Sequence, residues 1–161
     1  MTEKDYNDCV RRYADNVFRF IVKNLQHEEN ARDIIQSSFE KLWVNRAQVE
    51  PEKSKSYLFT VAYRLMIDFL RKHSRTQLTE DFAQDSRTVD QPDTQLRKIL
   101  DEALQRLSDI QRSLVLLKDY EGYSYEEIGT IANLSSSQVK VYLHRARLAM
   151  RAYLVGMHYV L

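Results

Sequence analysis

The chain has 161 residues, 43% of them apolar and 29% charged, with 24 Lys/Arg against 23 Asp/Glu, an ordinary soluble composition for one medium domain or two small ones. Three glycines and two prolines are too few for the turns of a β-sandwich or barrel, so the expected fold class is all-α. One cysteine, Cys9, excludes an internal disulfide, and four scattered histidines without partners at ligand spacing point to no metal. No apolar run approaches the roughly 20 residues that span a bilayer, and the opening MTEKDYNDCVRR lacks the apolar core of a signal peptide. A cytoplasmic protein without membrane insertion is expected.

Tyr6, Val10, Tyr13, Val17 and Phe20/Ile21 recur on one face of a first helix. A second helix is predicted from about Ala31 to Arg46, with Ala31, Ile35, Phe39 and Leu42/Trp43 as its apolar stripe and Arg32, Asp33, Gln36, Glu40 and Lys41 outside. The third, about Ser56 to Lys72, has an apolar arc so wide that it must pack on more than one side; its polar strip carries Tyr57, Thr60, Arg64, Asp68, Arg71 and Lys72. Unstacked bases bind where an aromatic platform meets a basic track, and this strip offers both.

Charge then changes sign along the chain. Residues 1–75 hold 14 Lys/Arg and 11 Asp/Glu, 76–95 hold 1 and 5, and 96–161 hold 9 and 7. The acidic middle block, poor in large apolar side chains and containing Pro92, reads as a linker, which makes 1–75 and 96–161 two helical domains.

The second domain opens with an amphipathic helix, about Thr94 to Leu107, followed by one capped at Ser108 or Asp109 that stops near Gly122. Ser124-Tyr-Glu-Glu127 is a capping box, and Ser135-Ser-Ser-Gln138 repeats it after a turn through Asn133 and Leu134. Two helices joined so closely have helix-turn-helix spacing. The second of them, entered through Ser136, Ser137 and Gln138, buries Val139, Leu143, Ala146, Met150 and Tyr153, and no acidic residue follows Glu127. Lys140, Val141, His144 and Arg145 are placed to reach base edges in a major groove, and Arg147 and Arg151 to meet phosphates.

These stretches resemble a known family. Leu107 to Arg151, above all YEGYSYEEI and VKVYLHRAR, is similar to region 4 of bacterial sigma-70-type factors of the extracytoplasmic-function (ECF) group. ARDIIQSSFEKLW resembles the region 2 segment that docks on polymerase, and YLFTVAYRLMIDFLRK the segment that opens the -10 element. The resemblance implies a factor that binds core RNA polymerase through Asp33, Gln36, Ser37, Glu40 and Trp43. Region 4 would sit on the -35 duplex, and the Tyr57/Arg64 strip would hold the melted -10 strand. It further implies an anti-sigma partner, no cofactor and no catalysis by this chain. Departures from the family's usual residues, at Arg64, Val141 and Tyr142, fall where promoter choice is made. With a net charge of +1, weak and salt-sensitive affinity for free DNA is expected. The alternative is a dimeric helix-turn-helix regulator on a palindrome, for which the N-terminal half would need a dimer seam or ligand pocket.

Overall fold

The computed structural model describes residues 1–75 and 92–157, without the side chains of 74, 75 and 92–94. Most of the linker predicted at 76–95 lies outside the described residues.

The first helix, α1 (Glu3–Leu25), begins at a capping box: the Thr2 hydroxyl accepts the Asp5 N–H and the Asp5 carboxylate accepts the Thr2 N–H. It ends at Gln26, which takes the left-handed conformation with φ 53°. In α2 (Glu28–Val44) the buried residues are Ala31, Ile34, Ser38 and Leu42, while Ile35 and Phe39 are half-buried. The apolar face is therefore turned by about one residue from the predicted stripe. Ser38 explains it: its hydroxyl donates to the Ile34 carbonyl at 2.7 Å, so a small polar residue sits satisfied where helices approach closely. The turn moves Trp43 out of the core to the rim, 37% exposed, edge-on to Tyr6 at 4.9 Å and under the Arg46 guanidinium at 3.8 Å. Two 3₁₀ turns, Arg46–Gln48 and Pro51–Lys53, lead into α3 (Ser54–Arg75). Phe20, Ile21, Leu42, Leu58, Phe59 and Met66 fill the space between these three helices. Cys9 is a small member of this core, and burial pushes its thiol up.

The second half starts with α4 (Pro92–Gln105), three residues before the predicted end of the linker. Proline suits a first helical turn, where its missing N–H is not needed. After the Ser108–Gln111 capping box comes α5 (Asp109–Val115), which widens into a π-helical turn at Leu116–Tyr120. The Glu121 N–H reaches Leu116 O at 3.0 Å, the Tyr123 N–H reaches Leu117 O at 3.1 Å, and Gly122 takes φ 76°. This bend aims Tyr123 inward before α6 (Tyr125–Ala132) and α7 (Ser136–Gly156). Leu104, Leu114, Leu116, Leu117, Ile128 and Ile131 are their fully buried centre. In α7 the buried set is Val139, Leu143, Ala146 and Leu154; Met150 and Tyr153 are only half-buried, because the Tyr153 ring lies over Arg106 and its hydroxyl donates to Glu102 of α4.

The two halves are packed face to face. Helix α3 lies against α6, and α1 against α5. Phe59 of α3 sits between Phe20 of α1, at 5.5 Å, and Tyr123, at 5.3 Å. Asn24 of α1 is 2% exposed and accepts from both Arg112 Nε (3.3 Å) and the Ser113 hydroxyl (3.1 Å) of α5.

Candidate nucleic-acid interface

The helix-turn-helix is built by short-range hydrogen bonds. The Ser124 hydroxyl accepts the Glu127 N–H at 3.1 Å and the Glu127 carboxylate accepts the Ser124 N–H at 3.1 Å. Asn133 turns the chain in the left-handed conformation, φ 58°, and the Leu134 N–H reaches back to Gly129 O at 2.9 Å. Gly129 is required here, because a Cβ would lie 2.5 Å from Leu134 O. The Ser135–Gln138 box then starts α7. Both predicted boxes are present.

Ser137, Gln138, Lys140, Val141, His144, Arg145, Arg147 and Arg151 are all exposed on α7; Ser136 is half-buried. Gln138 spends its carbonyl oxygen on the cap, which leaves its amide N–H groups to donate. Val141, 47% exposed, offers a methyl surface of the kind that meets thymine. The absence of acidic residues after Glu127 does not leave every cation unpaired. Asp119, from the π-helical turn, holds Arg147 Nη2 at 2.8 Å, whereas Arg145 has no ion pair or hydrogen bond among the described residues. Tyr125, the first residue of α6, carries Lys118 and Lys140 against its ring at 4.7 and 5.3 Å. Lys118 thus joins the basic face from a turn distant in sequence, a placement that α7 periodicity alone could not reveal.

On α3, Tyr57 and Thr60 are half-buried and Arg64, Asp68, Arg71 and Lys72 exposed, one continuous strip as predicted. The Thr60 hydroxyl donates to Ser56 O at 2.8 Å. Beside the strip is a feature that periodicity missed: Tyr57 borders an open hollow of 340 Å³ with Asn45, Gln48, Val49, Glu50 and Lys53. On α2, Asp33, Gln36 and Glu40 are exposed and Ser37 half-buried, with Gln36 Nε2 donating to Glu40 at 3.4 Å. Trp43 and the 75%-exposed Val44 extend this acidic face with an apolar end. Among the described residues no group of three or more His, Cys, Asp or Glu is placed to hold a metal ion, and no helix is long and apolar enough to cross a membrane.

Helical throughout its described residues, with a helix-turn-helix and an exposed basic helix in its second half and a basic aromatic strip on α3 in its first, the chain is a DNA-binding protein of two regions. Residues 9–76 match Sigma-70 region 2 and residues 97–150 match Sigma-70, region 4. The RNA polymerase sigma factor YlaC of Bacillus subtilis (strain 168) is 30% identical over 153 residues, covering 89% of this chain and 88% of that one. The ECF RNA polymerase sigma factor SigE of Mycolicibacterium smegmatis is 29% identical over 157 residues, 92% of this chain and 61% of that one. The sigma factor RpoE of Bartonella quintana, solved in complex with the anti-sigma factor NepR, shares the fold with a TM-score of 0.75 at 22% identity, over 94% of this chain and 97% of that one. The chain belongs to the sigma-70 family, in its ECF group.

Proposed function

We propose that this chain is an alternative sigma factor of the cytoplasm, which binds core RNA polymerase and directs initiation by reading -35 and -10 promoter elements. The observation that carries the reading is the pairing, in one chain, of an exposed basic recognition helix with the Tyr57–Lys72 strip on α3. Helix α7 takes the -35 duplex: Lys140, Val141, His144 and Arg145 face base edges, and Lys118, Arg147 and Arg151 meet phosphates. The α3 strip takes the single-stranded -10 element, with Tyr57 as a stacking platform and the adjoining hollow sized for an unstacked base. Tyr57→Ala is expected to weaken binding of a fluorescent -10 single strand to the assembled holoenzyme by about tenfold, and Tyr57→Phe by much less.

The α2 face of Asp33, Gln36, Ser37, Glu40 and Trp43 docks on the polymerase, which supplies the chemistry; the chain itself is not an enzyme. Reversing two charges together, Asp33→Lys with Glu40→Lys, is expected to slow association with core polymerase roughly tenfold at low salt, with a smaller effect as salt rises. Stopped-flow association measurements across a salt series would show it. By analogy with the solved RpoE complex, an anti-sigma factor that covers these faces is the expected regulatory partner.

Run-off transcription with core polymerase on pooled genomic fragments tests the reading as a whole. Discrete new start sites that depend on this chain are expected. A sharp footprint on a palindrome without polymerase, and no initiation, would instead establish the dimeric regulator.

A further inference from the structure

The end of α2 carries the chain's one tryptophan. Trp43 is 37% exposed and Val44 beside it 75%, so two large apolar side chains stand in water at the rim of the acidic α2 face. An exposed tryptophan at a helix end ordinarily samples several rotamers, and fixing it on a partner costs affinity. Here the ring is already held. The Arg46 guanidinium lies over it at 3.8 Å, and Tyr6 meets it edge-on at 4.9 Å with an interplanar angle of 68°. We propose that Arg46 is a positioning residue for polymerase binding, which holds Trp43 in one orientation as a ready anchor. The inference rests on the reading of the α2 face as the polymerase-docking surface and deepens it.

Among the described residues, the hydrogen bond and the ring contact that the Arg46 side chain makes both go to Trp43: Nη1 donates to the Trp43 carbonyl at 2.8 Å while the guanidinium lies on the indole. No carboxylate among those residues pairs with it. The side chain also starts from a fixed backbone. Arg46 opens the 3₁₀ turn Arg46–Gln48, and its carbonyl accepts the Val49 N–H at 3.3 Å. Asn45 Nδ2 fastens the same helix end by donating to Lys41 O at 2.9 Å. On the far side of the indole Tyr6 is anchored as well, because its hydroxyl donates to Phe39 O at 3.3 Å. A planar guanidinium can lie on a ring and donate to a carbonyl at once, whereas an ammonium is a point charge without such a plane. A cation beside the last carbonyls of a helix also steadies the helix itself, a role that Lys would fill as well as Arg. Tryptophan is among the residue types on which interface energy concentrates, so freedom removed from Trp43 beforehand is gained as affinity.

With a single tryptophan in the chain, indole emission reports on this site alone. In the full free chain, Arg46→Ala should lower the anisotropy of that emission and make it easier to quench with acrylamide, with Arg46→Lys between Ala and wild type. Binding of core polymerase should weaken about threefold to tenfold for Arg46→Ala, the cost of one large side chain newly immobilised on binding, and about thirtyfold for Trp43→Ala. Arg46→Ala added to Trp43→Ala should weaken binding no further, since nothing is left to position. A role in steadying the helix alone would lower the melting temperature of Arg46→Ala yet leave its quenching unchanged, and that outcome overturns the proposal. An equal loss from Arg46→Ala with and without Trp43 overturns it too, because Arg46 would then touch polymerase directly. Both results leave the docking reading intact. Full affinity of Trp43→Ala for core polymerase instead removes Trp43 from the docking face, and overturns that part of the functional reading together with the proposal.

Discussion

Gly129→Ala is expected to destabilise the C-terminal half by about 2–3 kcal/mol and to abolish its engagement of a -35 duplex. A methyl group at this position would lie 2.5 Å from the Leu134 carbonyl oxygen and 3.6 Å from its carbonyl carbon. Both are backbone atoms, so no side-chain rotation relieves the clash. Nor can the turn simply step aside. It is held by the left-handed Asn133, by the Leu134 N–H on Gly129 O, and on either side by the Ser124 and Ser135 capping boxes. Any shift that admits the methyl must lengthen the Gly129–Leu134 bond and swing α7 relative to α6, and recognition depends on that angle. Gly156 supplies the control, since a Cβ there meets nothing within 4 Å; Gly156→Ala should leave stability unchanged or slightly raised. Thermal unfolding followed by circular dichroism, together with footprinting of the holoenzyme, reads both effects. Equal melting temperatures for the two variants would show that the turn is softer than its hydrogen bonds imply.

What the sequence made legible was everything carried by neighbours a few residues apart. The boxes at Ser124 and Ser135 follow from side chains that reach only three residues, and the helix-turn-helix follows from their spacing. The strip on α3 was legible for a similar reason: residues three, four and seven apart share a face whatever else the protein does. Periodicity shows which side of a helix is apolar, but not what covers it. It placed Trp43 with the core stripe, and it could not foresee that Ser38, paired to its own helix, would take the buried position instead. Arg112 is buried against Asn24, 88 residues away, and Asp119 holds Arg147 across 28 residues. Such pairs depend on how whole helices meet, and the inward turn of Tyr123 depends on a π-helical widening that no local signal announced. The packing of the two halves was half legible: the wide apolar arc of α3 required a second neighbour, and Phe59 on that arc does meet Tyr123, but nothing local said which element would supply it.

The contrast between Arg145 and Arg147 predicts the sharpest functional difference among single substitutions. Arg145→Ala is expected to reduce initiation at a cognate promoter between about 5-fold and 150-fold, the equivalent of about 1–3 kcal/mol for one lost base contact. The residue is exposed on the recognition face, one turn beyond Val141, and no protein partner among the described residues competes for its guanidinium. Its donors are thus free to pair with a guanine edge, and their loss should be felt at one promoter position above all. Arg147 begins from a different state. Asp119 already holds it at 2.8 Å, which fixes its direction and offsets part of its charge, so it suits a phosphate better than a base. Arg147→Ala should weaken initiation by only about threefold, at every promoter alike, with a shallower dependence on salt. Run-off transcription on a set of promoters mutated singly across the -35 element separates these outcomes. A loss for Arg145→Ala that is uniform across the set would assign Arg145 to the DNA backbone, and sequence reading on α7 would then fall to Lys140, Val141 and His144.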